Sequence, residues 1–168
     1  MSLRLVANWK LNGSREFNNK WVNEFLKNFN SQNFPSIGIA PTSLYIDHLQ
    51  VALGDHAIKI GSQNIDIEEA GARTGEISAS MIKDSGCTFC IVGHSERRML
   101  FHETNQQIGQ KLIQANNSSV TPILCIGESE EENQQNITSS VLETQITEVL
   151  NNASDLNSLI IAYEPVWA

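Results

Sequence analysis

Acid–base side chains in this 168-residue chain stand in a pattern: Asn8 and Lys10, Gln63 and Asn64, His94, Ser95 and Glu96, Glu128, and Glu164 each follow an apolar run. Glu164 comes after Leu159-Ile-Ile-Ala-Tyr163. A carboxylate emerging from such a strand is expected in a poorly hydrated place, where desolvation raises its affinity for a proton toward the range of a general base. A hydrated strand-end carboxylate would look the same in sequence. His94 lies in Val92-Gly-His-Ser-Glu-Arg97, where Gly93 permits a sharp turn and the next residues open a short helix. Backbone N–H groups at that helix start can donate to a ring nitrogen and keep the imidazole neutral. Lys10 offers a cation to an anionic substrate, although a lysine after a strand is also the ordinary place for a solvated charge. A base, an electrophile and a cation are thus available.

Other chemistries fit less well. Gly93-His-Ser-Glu-Arg97 lacks the Gly-x-Ser-x-Gly spacing of a nucleophile elbow, so Ser95 is not read as a nucleophile. Cys87 and Cys90 form a C-x-x-C, but an apolar strand runs through the pair where a redox motif would open a helix, and no second ligand pair has zinc spacing. These thiols read as small buried hydrophobes rather than as a metal or redox pair.

The elements that must position these groups alternate. Strands are expected at Arg4–Ala7, Ile37–Ala40, Ile58–Gly61, Phe89–Gly93, Pro122–Gly127 and Leu159–Tyr163, several apolar almost throughout, as parallel strands covered on both faces are. Between them, Phe17, Trp21, Val22, Phe25, Leu26 and Phe29 mark one helical face; Leu44, Ile46, Leu49 and Leu53 mark another that Gly54 ends. Ser78 caps a short helix through Lys83, and Thr104 with Gln107 forms a capping box before Ile108, Leu112 and Ile113. Ile137, Val141, Leu142, Ile146, Val149 and Leu150 make the last stripe. No linker or charge block divides this βα order, so residues 1–168 read as one domain. The rim after parallel strands is where ligand sites of such proteins form.

Composition narrows the partners. Apolar residues at 40% and charged residues at 18% fit a folded chain, not a disordered one. The net charge of -8 has the wrong sign for a nucleic-acid binder and disfavours anionic membranes. No apolar run approaches the roughly 20 residues of a membrane-spanning helix, and the start lacks a leader pattern. With three cysteines, an odd number, reduced thiols and a cytoplasmic location are expected, and Asn-x-Ser/Thr triplets at Asn116, Asn117 and Asn136 are chance.

Taken together the segments resemble the triosephosphate isomerase family. Val6-Ala-Asn-Trp-Lys10 is similar to its first-strand signature, Gly61-Ser-Gln-Asn64 to its third-strand end, and Gly71-Ala-Arg-Thr-Gly-Glu76 to its intersubunit loop. Val92-Gly-His-Ser-Glu-Arg97, Cys125-Ile-Gly-Glu128 and Ala162-Tyr-Glu-Pro-Val-Trp167 complete the order. The resemblance implies an α/β fold of the (β/α)8 TIM barrel type, of which about the first six βα units are present; periodicity alone leaves an open doubly wound sheet equally possible. It implies, too, interconversion of dihydroxyacetone phosphate and D-glyceraldehyde 3-phosphate, a glycolytic and gluconeogenic step, without cofactor or metal. Glu164 is then the base, and neutral His94 polarises the carbonyl and shuttles protons. Lys10 stabilises charge, and Asn8 and Lys10 face the substrate. Ser95 and Glu96 are supports, and Thr74 enters the neighbouring subunit of a homodimer.

A barrel of this type typically has about 250 residues. Pro165-Val-Trp167 resembles the first hinge of the family's lid, so the lid, strands seven and eight and their phosphate-binding loops are expected to lie outside this sequence. Two alternatives stay open: an impaired fragment acting only by association, and another phosphosugar-binding α/β protein.

Overall fold

The computed structural model describes residues 5–29, 37–54, 56–151, 153 and 156–167. Arg4, the first residue of the first expected strand, lies outside them. The strands are β1 (Leu5–Asn8), β2 (Ile37–Ala40), β3 (Ile58–Ser62), β4 (Phe89–Val92), β5 (Thr121–Ile126) and β6 (Ile160–Tyr163). All pair in parallel and lie in the order β1-β2-β3-β4-β5-β6. A doubly wound sheet reverses its strand order at a switch point, and this one does not. The chain winds one way only, which curls the sheet into part of a (β/α) barrel.

Alternation along the strands supplies two cores. Cys90, Val92, Leu124 and Ile126 face the helices, while Phe89, Ile91, Ile123 and Cys125 pack with Ala40 on the concave side. That is why these strands are apolar in nearly every position. Gly61 makes the β3–β4 contact possible: the fully buried Phe89 ring lies 2.4 Å from where a Cβ on Gly61 would be. The edge strands are barer, with Leu5 57% and Ile161 47% exposed.

Helices occupy the connections as α1 (Arg15–Asn28), α2 (Ile46–Leu53), α3 (Ala79–Asp84), α4 (Ser95–Leu100), α5 (Asn105–Asn117), α6 (Glu130–Gln134) and α7 (Thr138–Leu150). Gly54 ends α2, and Ser78 caps α3 by accepting the Met81 N–H. Both halves of the Thr104–Gln107 capping box form at α5. Leu44 departs from expectation: it falls in a 3-10 turn, Ser43–Tyr45, whose tighter winding rotates it off the α2 face and leaves it 87% exposed. Phe17 is half exposed but packs edge-on against Trp9, and Ile137 sits outside α7 as its N-cap. Helix α6 was not anticipated, although Ser129 and Glu132 form a capping box whose spacing is plain in the sequence.

Candidate active site

Asn8, Lys10, Gln63, Asn64, His94 and Glu96 line one cleft of about 650 Å³ over the C-terminal strand ends. A smaller cavity of about 160 Å³ adjoins the ends of β4 and β5, where Ser95, Arg98, Cys125, Gly127, Gln145 and Glu164 meet. His94 of the larger and Glu164 of the smaller approach each other, with His94 Nε2 3.7 Å from Glu164 Oε2.

His94 is held from behind. It is the N-cap residue of α4 and accepts the Glu96 backbone N–H at Nδ1, 3.2 Å away. An Nδ1 that accepts leaves the neutral ring's proton on Nε2, the nitrogen facing Glu164. The ring is buried, 7% exposed, and its Nε2 edge faces Glu164 where His94 lines the cleft. The sharp turn at Gly93 and the helix-start N–H donor expected from the sequence are both present.

Lys10 adopts φ +52°, a left-handed conformation costing about 1 kcal/mol or more for a residue with a Cβ. Neighbours lock it there. Asn8 Oδ1 accepts the Lys10 N–H at 3.0 Å, and Gln63 Nε2 donates to the carbonyls of Lys10 and Ala40, both at 2.9 Å. Its ammonium pairs with Glu96 Oε1 at 2.9 Å. That hydrogen bond, outweighing slight desolvation and reinforced by the charges of Glu96 and Glu164, holds the Lys10 pKa above its usual value.

Of the two readings left open for Glu164, the structure shows the hydrated one: its side chain is 58% exposed, following β6, which among the described strands pairs with β5. Glu128 follows β5 where the sequence places it, and it is fully buried. Its carboxylate accepts from Asn133 Nδ2, Trp167 Nε1 and the Tyr163 hydroxyl at 3.1 Å each to the nearer oxygen. Burial alone would push its pKa up, but the bonds from Asn133, Trp167 and Tyr163 outweigh it and leave it below the usual carboxylate range. Tyr163 is raised by burial and by the same carboxylate.

Ser95 opens α4 and reaches the smaller cavity beside Glu164. Thr74 is exposed on the loop after β3. The base of that loop is closed by the Asp66 N–H to Ile77 O bond, and Arg73 folds back onto buried Asp66 at 2.6 Å. Burial opposes the charge on Asp66, yet Arg73 and the Glu68 N–H keep its pKa low.

Sequence reasoning missed two polar anchors. Lys111, on the buried face of α5, pairs with Glu103 and donates to Asn64 Oδ1 at 2.7 Å, while Glu103 also takes Arg97. Gln145, on α7, bonds Gly127. The available signal was a polar residue on an apolar helical stripe, three after Ile108 and three after Leu142. The C-x-x-C does bury: desolvation pushes the Cys87 and Cys90 thiols up to about 12, and Cys125 to about 11. Among the described residues no group of three His, Cys, Asp or Glu side chains is arranged to hold a metal ion, and no helix is long and apolar enough to cross a membrane.

A singly wound parallel sheet with acid–base side chains gathered over its strand ends places the chain among the (β/α)-barrel proteins. Comparison with known sequences is more specific. The family profile described as triosephosphate isomerase matches residues 4–168, and the chain belongs to that family. It is 40% identical over 166 residues to triosephosphate isomerase of Nitrosococcus oceani, covering 98% of this chain and 66% of that protein. The Histophilus somni enzyme is 39% identical and the Salmonella newport enzyme 42%, each again across 98% of this chain and 65% of the relative. The chain therefore spans just under two thirds of the length of these relatives.

Proposed function

We propose that the whole protein interconverts dihydroxyacetone phosphate and D-glyceraldehyde 3-phosphate by proton transfer. The observation that carries this reading is the meeting of His94 Nε2 and Glu164 Oε2 at 3.7 Å, with Lys10 on Glu96 at 2.9 Å in the adjoining cleft. A Glu164 oxygen takes the proton from the carbon beside the carbonyl, and the C–H electron pair moves into a carbon–carbon double bond. The carbonyl oxygen, polarised by the His94 Nε2–H, gains the negative charge. Lys10 stabilises that charge, His94 moves a proton between the two oxygens, and Glu164 returns its proton to the neighbouring carbon. The steps balance without a redox partner or metal. Asn8 and Gln63 hold the Lys10 backbone for this task, and Glu96 sets both Lys10 and the His94 ring through its carboxylate and N–H. Ser95 is read as a positioning group for Glu164.

The same reading makes the whole protein a cytoplasmic enzyme of glycolysis and gluconeogenesis. It makes it a homodimer as well, with the Thr74 loop reaching the partner's Lys10. The Arg73–Asp66 pair stiffens that loop from within, and an isologous interface repeats the contact twice. The single domain read over residues 1–168 belongs to this proposal as a partial barrel.

The test supplies dihydroxyacetone phosphate to the whole protein and follows aldehyde formation through a coupled hydride assay, with chelator present. Turnover insensitive to the chelator is expected. Absence of conversion in either direction, with turnover of a different phosphosugar, would replace this reading by another reaction on the same fold.

A further inference from the structure

We propose that Gln145 is a positioning residue for Glu164, an inference that rests on the reading of Glu164 as the base. Gln145 sits on α7 between Leu142 and Val149, both part of the core that α7 lays against the sheet. Its amide is spent on a single residue: Oε1 accepts the Gly127 N–H at 3.0 Å, and Nε2 donates to the Gly127 carbonyl at 2.9 Å. A side chain that satisfies both polar groups of one peptide residue fixes its orientation as well as its place.

That orientation matters because Gly127 is the surface on which Glu164 rests. A Cβ on Gly127 would lie 1.9 Å from the Glu164 carbonyl oxygen, so the chain at Glu164 occupies the space a side chain would need. On either side of Gly127 the contact is laced, by Glu164 N–H to Ile126 O and by Val166 N–H to Glu128 O, each 2.9 Å. Tilting the Gly127 peptide therefore displaces the Glu164 backbone. One turn beyond Gln145, Glu148 accepts from Asn105 Nδ2 at 2.8 Å. Asn105 Oδ1 accepts from Arg98 Nη1 at 2.6 Å, and Arg98 Nε donates to the carbonyl of Gly93 at 2.8 Å, directly before His94. A single helix thus references the backbone under both groups of the 3.7 Å pair.

The test uses Gln145→Met, which keeps length and removes both bonds, and Gln145→Glu, which keeps only the acceptor toward the Gly127 N–H. Both are made in the whole protein beside a Glu164→Gln control. A misplacement of about 1 Å costs up to about 100-fold in a positioned transfer, so kcat should fall about 10-fold to 100-fold for Gln145→Met and less for Gln145→Glu, with KM within about 2-fold. A merely structural role would not give that split. If Gln145→Met does not fold, the same split in Gln145→Glu decides. Parental kcat in a folded Gln145 variant, with Glu164→Gln inactive, overturns the positioning role alone. Parental turnover in Glu164→Gln overturns the base reading beneath it.

Discussion

Gly61→Ala should damage the barrel's inner packing by a predictable amount. The new methyl would meet three ring carbons of Phe89 at 2.4, 2.5 and 2.6 Å, where carbon atoms ordinarily rest about 3.5–4.0 Å apart. The ring must retreat by about 1 Å. It has nowhere soft to go, since Phe89 is fully buried among Ala40, Ile91, Ile123 and Cys125. Overpacking of this kind costs about 1–3 kcal/mol, and the rigidity of an aromatic ring puts Gly61→Ala at about 2–3. Phe89→Leu shortens the obstruction while costing about 1–2 kcal/mol of burial on its own. The double variant should be no worse than Phe89→Leu alone, a coupling of about 2 kcal/mol in a double-mutant cycle. Urea unfolding of the whole protein at fixed concentration, followed by circular dichroism, reads all four states. A Gly61→Ala protein within about 0.5 kcal/mol of its parent, or costs that simply add, would refute the packing argument.

Three further outcomes are expected. Lys111→Ala should cost about 3 kcal/mol in the same assay, because it strands the buried Glu103 carboxylate with Arg97 alone; a loss under about 1 would contradict the pairing. Glu128 has a lowered folded-state pKa, so its stabilising contribution is present above the unfolded carboxylate value of about 4.3 and is lost as pH falls through the folded value. Glu128→Gln should therefore flatten the acid side of the melting profile, and an unchanged acid slope would sink that claim. Thiols pushed up to about 12 at Cys87 and Cys90 and about 11 at Cys125 should resist a disulfide reagent at pH 8 until urea is added; stoichiometric labelling of the native protein would refute their burial.

What the sequence made legible was local. Ser78, Thr104 and Gly93 act on residues a few positions away, so helix starts and the His94 turn are written in short spacings. The Glu96 N–H reaches His94 Nδ1 for the same reason. Contacts across long separations were not readable. The single direction of winding distinguishes barrel from open sheet only when β3 is seen between β2 and β4, since each doubly wound order breaks one of those two pairings. The burial of Glu128 depends on Tyr163 and Trp167, more than thirty residues on, and the exposure of Glu164 depends on which strands flank β6. Lys111 and Gln145 were passed over because a polar residue on an apolar stripe becomes meaningful only once its partner, Glu103 or Gly127, is found opposite.

The central claim, that Glu164 moves the proton, is tested most directly by turnover of Glu164→Gln in the whole protein under saturating triose phosphate. The amide keeps the shape of the side chain and removes its basic oxygen, so kcat should fall about 100-fold to 10,000-fold while KM changes little. Glu164→Asp, which withdraws the carboxylate by about 1 Å, should fall between the two. Near-parental kcat in Glu164→Gln would contradict the account.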